Sequence, residues 1–136
     1  MTLLTLTHAE RLAKAATARA RDLDLNPMSV SVIDASGHLK FALREDGAGL
    51  AGVDIALGKA RAALTFGCTS GQIADALAGN PLAGPSVIAS LQGRVVLLAG
   101  GVLIQDTASG EVIGAIGAAG DAPENDEAVV AAATAG

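Results

Sequence analysis

The stretch Ser29–Gly47, SVSVIDASGHLKFALREDG, decides how the rest of this chain is read. Ser29, Val30, Ser31, Val32 and Ile33, and then Leu39, Phe41 and Leu43, supply β-branched and apolar residues in near alternation. Asp34, Ser36 and Gly37 stand between the two runs as turn formers. The pattern predicts a hairpin with one buried face. At its exit lies a polar cluster of Arg44, Glu45 and Asp46. Arg44 and Asp46, two residues apart, leave the second strand on the same side.

Toward the N-terminus, Thr7 and Glu10 have capping-box spacing with Leu6 just ahead, which predicts a helix starting at about His8. Leu12, Ala13, Ala16, Ala20 and Leu23 repeat at helical spacing, and Asn26–Pro27 ends the element. Toward the C-terminus, Gly47, Gly49 and Gly52 lead into a helix over Val53–Phe66, closed by Gly67. Thr69 and Gln72 repeat the capping-box spacing before a short helix over Gly71–Ala78.

Gly79–Asn80–Pro81 and Gly84–Pro85 then interrupt regular structure, leaving a loop or a helical turn through Ser86–Leu91. Arg94–Leu98, Val102–Gln105 and Glu111–Ile116 read as strands, the last with a close backbone approach at Gly114. Asp121 with Glu124 suggests a cap, Pro123 suits a first helical turn, and the last helix carries Ala128–Ala133. The order is helix, two strands, two helices, three strands, helix. Short turns between neighbouring strands imply an antiparallel sheet with helices packed on it, an α+β architecture.

With 136 residues the chain fits one domain, 1–136, able to form a core without metal or disulfide. A net charge of −5 with no basic patch argues against nucleic acid as a partner. The single cysteine, Cys68, forms no internal disulfide, and no apolar run approaches the roughly 20 residues needed to cross a bilayer. With no secretory signal at the N-terminus, a soluble cytoplasmic protein is expected. Phe41 and Phe66 are the only aromatics, while Ala and Gly abound, so the core packs small side chains and lets elements approach closely. Such a composition also fits a homo-oligomer.

No phosphate loop, paired-Cys motif or His-Glu-x-x-His is present, so motifs alone write no reaction. His8, in a first helical turn, and His38, at the hairpin turn, are the imidazoles available to a ligand or metal, and either reads equally as an exposed residue. Arg44, Asp46 and Lys59 form a second candidate group. Lys59 stands in an otherwise apolar helix between Gly58 and Ala60, where a lysine pairs with a carboxylate or shifts its pKa. The three form either a network anchoring that helix to the hairpin or an anion pocket. Gly100, Gly101 and Gly117 leave backbone uncovered, for close packing or as a floor under a flat ligand. Cys68, at a helix start, is either a reactive thiol or a small buried residue.

The blocks MSVSVIDASGHLKFALREDGAG, DIALGKARAALTFG, GGVLI and VIGAIGAAGDAPENDEAV, in this order from about Leu6 to Ala133, resemble those of the GlcG/HbpS family, also called the haem-degrading or PduO C-terminal-like domain. The resemblance implies a profilin-like fold with a five-stranded antiparallel sheet, and homo-oligomers. It implies haem or a corrinoid as the ligand of some members and a place in small-molecule catabolism for others. By position, Arg44, Asp46 and Gly47 match the family's Arg-x-Asp-Gly block, Lys59–Ala60 its Lys-Ala pair, Gly100–Gly101 its double glycine, and Asp126–Glu127 its late acidic pair. The chain departs from the family at Ala99 and Leu103, where prolines are usual, and at Ala118–Gly120, where Val-Ser-Gly is common.

Three functions follow as expectations. The first is a small-ligand-binding protein that takes haem or a related tetrapyrrole, with His8 or His38 on the iron. In the second, a catabolic isomerase, lyase or hydratase, Lys59 or Asp46 moves a proton and Arg44 holds an anionic group. The third is a structural assembly subunit with neither ligand nor turnover.

Overall fold

Thr5 opens regular structure in the computed structural model, which describes residues 2–136. Its hydroxyl accepts the His8 amide, so α1 runs Leu6–Asp22 and starts two residues before the position that Thr7–Glu10 predicts. The hairpin follows as β1 (Ser29–Asp34) and β2 (Leu39–Arg44), then α2 (Gly52–Phe66), α3 (Ser70–Leu77) and α4 (Ala83–Ser90). β3 (Gly101–Gln105), β4 (Val112–Ala119) and α5 (Pro123–Ala135) complete the chain. The local signals at α2 and α3 act as expected. Gly67 ends α2 in the left-handed region, and Thr69 and Gln72 form a reciprocal capping box on α3.

Four strands, not five, form the antiparallel sheet, in the order β2-β1-β4-β3. The segment Arg94–Leu98 is not a strand. Its Val96 amide bonds the Gly58 carbonyl of α2, and Val95 is buried with Ala62 and Ile73. Gly58 allows this, because a Cβ there would come within 2.5 Å of Val96 Cγ2. The apolar run of this segment therefore serves packing on helices. Gly84–Pro85, read as a break, instead lies in the first turn of α4, where the missing proline N–H leaves no helical bond unmade. Asp121 precedes the cap of α5, which is Ala122, and Pro123 is its first residue.

The first strand of the hairpin is buried more deeply than its alternation predicts, while no residue of β2 is fully buried. β1 lies between β2 and β4 and is covered on both faces, so Ser29–Ile33 are all buried. Val30 and Val32 point with Val102, Ile104, Ile116 and Ala118 into a layer formed by α1 and α5, among them Leu12, Ala16, Val129 and Val130. On the opposite face Ile33, Leu103 and Ala115 meet Ala60, Ala63 and Leu64 of α2.

The α2 face is built from small residues. A Cβ on Gly117 would collide with the Ala56 carbonyl, one on Gly101 with the Lys59 carbonyl, and one on Gly114 with the Ile33 carbonyl. Gly117 and Gly101 thus bring the α2 backbone directly onto the strands, and Gly114 lets β1 approach β4 closely, which is why so few aromatics suffice. Ser31 spends its hydroxyl on the Val53 carbonyl, whereas the buried Ser29 hydroxyl has no partner. Replacing Ser29 by Ala removes an unsatisfied polar group and should leave stability unchanged or raise it by about 1 kcal/mol, as read from the urea midpoint.

Candidate functional site

Two places gather polar chemistry. The first is interior. Lys59 and Asp126 are each only 2% exposed, and Lys59 Nζ donates to Asp126 Oδ2 at 2.9 Å and to the Ala118 carbonyl at 3.0 Å. Asp126 Oδ1 accepts the Asp121 amide. Burial pushes the Asp126 carboxyl up, opposed by its hydrogen bonds from Lys59 and from the Asp121 amide. Asp121 is held below the usual carboxylate range by the Asn125 side chain and by the Asn26 and Ala122 amides. The ion pair ties α2, the end of β4 and the start of α5 together. Gly100, at φ 131°, lies over it, and a Cβ there would stand 2.8 Å from Lys59 Nζ.

Lys59 is thereby separated from Arg44 and Asp46. The Arg44 guanidinium bonds the Ala48 carbonyl, and both Arg44 and Asp46 are exposed at the exit of β2. Nearby, Arg21 bridges Glu45 and the Leu25 and Asn26 carbonyls. Neither the anchoring network nor the anion pocket offered for these three residues assembles, because the lysine's charge partner is supplied by α5, 67 residues along the chain. Gly100, Gly101 and Gly117 likewise form no open floor. They are closed against Lys59 and against the α2 backbone. Cys68 is half-buried and free.

The second place is a surface groove of about 600 Å³, within the range of ligand sites. Its walls are the β1–β2 turn with His38, the C-terminal half of α2 with Arg61, Leu64 and Thr65, and the exit of α4 with Leu91, Gln92, Arg94 and Val95. Asp34 fixes the turn. Its Oδ1 accepts the Ser36 and His38 amides, while its own amide bonds the His38 carbonyl. Arg61, Leu64 and Thr65, at helical spacings of three and four, share one stripe of α2.

At the α4 exit Gln92 and Gly93 are both left-handed, with φ of 59° and 73°. Gln92 holds a conformation that costs a non-glycine residue on the order of 1 kcal/mol, and such strain gathers at functional sites. Among the described residues, neither Arg61 nor Arg94 has a carboxylate within 4 Å. The groove therefore combines one exposed imidazole, two unpaired guanidinium groups and an apolar wall.

His8, the other imidazole, is half-buried on α1. Partial burial and the Arg11 charge lower its pKa, against the pull of Asp106. Arg61 and Arg94 are the groove residues that sequence reasoning did not single out. A helical arginine set two residues beyond a buried lysine was their one local signal.

A family model for haem-degrading, HbpS-like proteins matches residues 4–135. The chain belongs to the HbpS-like family. A curated relative from Citrobacter freundii, an uncharacterized 15.0 kDa protein of the dhaT-dhaS intergenic region, is 33% identical over 124 residues, covering 90% of this chain and 84% of its own length. Among solved structures, the PduOC:heme complex superposes with a TM-score of 0.86 at 30% identity, over 98% of this chain and 94% of that one. HbpS itself gives 0.83 at 29% identity, over 99% and 90%. Membership of the HbpS-like family supports a haem-related binding role. No helix among the described residues is long and apolar enough to cross a membrane.

Proposed function

We propose that this HbpS-like chain is a small-ligand-binding protein whose ligand is haem or a closely related tetrapyrrole, held in the His38 groove. The observation that carries the reading is the donor set of that one cavity. An exposed imidazole is a common axial ligand for haem iron, and Leu64, Leu91 and Val95 provide an apolar wall for a flat macrocycle. Arg61 and Arg94 suit carboxylates at the ligand's edge. The heme complex of the superposed PduOC structure supports the ligand class. Catalysis by Lys59 has no such support, since its ammonium is engaged by Asp126 and Ala118 in the interior. Assembly of copies is supported by apolar side chains left in solvent, Leu50 and Leu82 foremost.

Titration of the purified protein with haemin tests this. The wild-type protein and the His8→Ala variant are expected to give a shifted, saturable Soret band. In His38→Ala the band should revert toward that of free or non-specifically bound haemin. An unchanged band in His38→Ala, or no shift in the wild type, removes the proposal.

A further inference from the structure

The groove pairs a single imidazole on an exposed turn with two arginines that have no counter-charge, in a chain whose net charge is −5. Four other cations of this chain have partners close by, while among the described residues Arg11, Arg19 and Lys40 stand alone outside the groove. Lys14 bonds Glu10, Arg21 bonds Glu45, Lys59 bonds Asp126, and Arg44 bonds a carbonyl. Arg61 and Arg94 come from different elements, α2 and the segment after α4, and Arg94 follows directly on the left-handed Gln92–Gly93 turn. Two like charges facing one cavity repel each other, and an anion between them relieves that cost.

We propose that the groove selects its ligand by two carboxylates rather than by a metal, so that it takes planar dicarboxylate tetrapyrroles whether or not they carry iron. This rests on the reading of the groove as a tetrapyrrole site and names what that site recognises. Arg61 and Arg94 are the specificity-determining residues, and His38 adds an axial bond only where a metal is present. Each guanidinium offers a planar fork of donors to a carboxylate, in a groove whose partial enclosure strengthens the pairing over a fully solvated one. A corrinoid, whose periphery bears amides instead of carboxylates, offers no charge to these arginines.

The test uses the folded 136-residue chain and the red fluorescence of metal-free protoporphyrin IX. Protoporphyrin IX is expected to bind within about threefold of haemin. Its dimethyl ester should bind about tenfold more weakly, as should protoporphyrin IX to Arg61→Gln/Arg94→Gln. His38→Ala should bind protoporphyrin IX like wild type while its haemin spectrum changes. Neither hydroxocobalamin nor millimolar inorganic phosphate should displace the porphyrin.

Arg94 is exposed and Arg61 half-buried, and neither has a charged partner to lose, so circular dichroism is expected to show the double variant folded. Equal binding of ester and free acid, or of wild type and the double arginine variant, overturns the inference. So does displacement by phosphate, which would make the groove a small-anion site. Haemin binding that depends on His38 without any protoporphyrin binding overturns it too, while leaving the haem reading intact. Absence of binding by both porphyrins overturns inference and reading together.

Discussion

Replacing Lys59 by Met is expected to cost about 3–5 kcal/mol of folding stability, read as a fall in the urea midpoint with the transition slope unchanged. The substitution leaves Asp126, 2% exposed, with no cation and strips the Ala118 carbonyl of its lysine donor. The remaining polar partner of Asp126 is the Asp121 amide. The loss should also depend on pH in a defined direction. Burial already raises the Asp126 carboxyl, and removing Lys59 takes away what opposes that rise. A carboxyl whose folded pKa lies above its unfolded value of 3.8 stabilises the fold when protonated, and that contribution disappears as pH climbs through the folded value. The deficit of Lys59→Met against wild type should therefore be smallest near pH 4 and grow toward neutrality.

Adding Asp126→Leu to Lys59→Met should recover part of the loss, since exchanging a whole buried ion pair for apolar side chains is less harmful than orphaning one partner. Recovery separates an orphaned charge from a simple packing defect. If the double variant is as unstable as the sum of the singles, the two residues are not coupled and the ion pair does not brace α2 against α5.

Gly117→Ala should be comparably severe from one methyl group. The new Cβ meets the Ala56 carbonyl, which belongs to the backbone of α2 and cannot rotate aside. Relief requires α2 to lift from β4, which also disturbs the neighbouring contact of Gly101 with the Lys59 carbonyl. A cost of about 3 kcal/mol, at the upper end of overpacking effects, corresponds to a fall in Tm of roughly 10 °C for a chain of this length. Gly37→Ala offers the contrast. Its φ of 85° imposes strain on any side chain, but its Cβ would point into open space, so the loss should be about 1 kcal/mol. A smaller loss at Gly117 than at Gly37 would mean that α2 does not lie on the strands as closely as described.

Much of this fold was legible from short-range chemistry. Gly67, the Thr69–Gln72 box, Pro123 and the Asp34–Gly37 turn act through neighbours a few residues away, and each does in the structure what its spacing implies. Errors arose where a distant element decided the outcome. Arg94–Leu98 has the residues of a strand, yet Gly58 on α2 offers it a carbonyl and a place for Val96. The hairpin was expected to bury one face, but small residues on both partners let α2 cover the second face of β1 as well. The residue pattern and the family resemblance both implied five strands, and the chain forms four.

The same divide governs the sites. That Lys59 would pair with a carboxylate followed from its apolar surroundings. Its partner did not, because two helices and two strands, α3, α4, β3 and β4, separate Asp126 from Lys59 in sequence. His38 was visible as a turn histidine, but the groove that gives it chemistry is completed by Arg61 and Arg94, brought together only when the α4 exit folds back on α2. The sequence-level candidates thus divide by location, Lys59 and the glycines serving the interior and His38 facing a cavity.

The location of the ligand is the central claim, and paramagnetic broadening by haemin in amide-resolved NMR spectra of the isotope-labelled protein tests it most directly. Haem iron bound near His38 should erase signals first at Ser36–His38, at Arg61–Thr65 and at Leu91–Val95, leaving α1 around His8 and the buried Lys59–Asp126 region sharp. Broadening centred on His8 and Asp106, or on the outer surface around Glu124 and Glu127, would contradict the account.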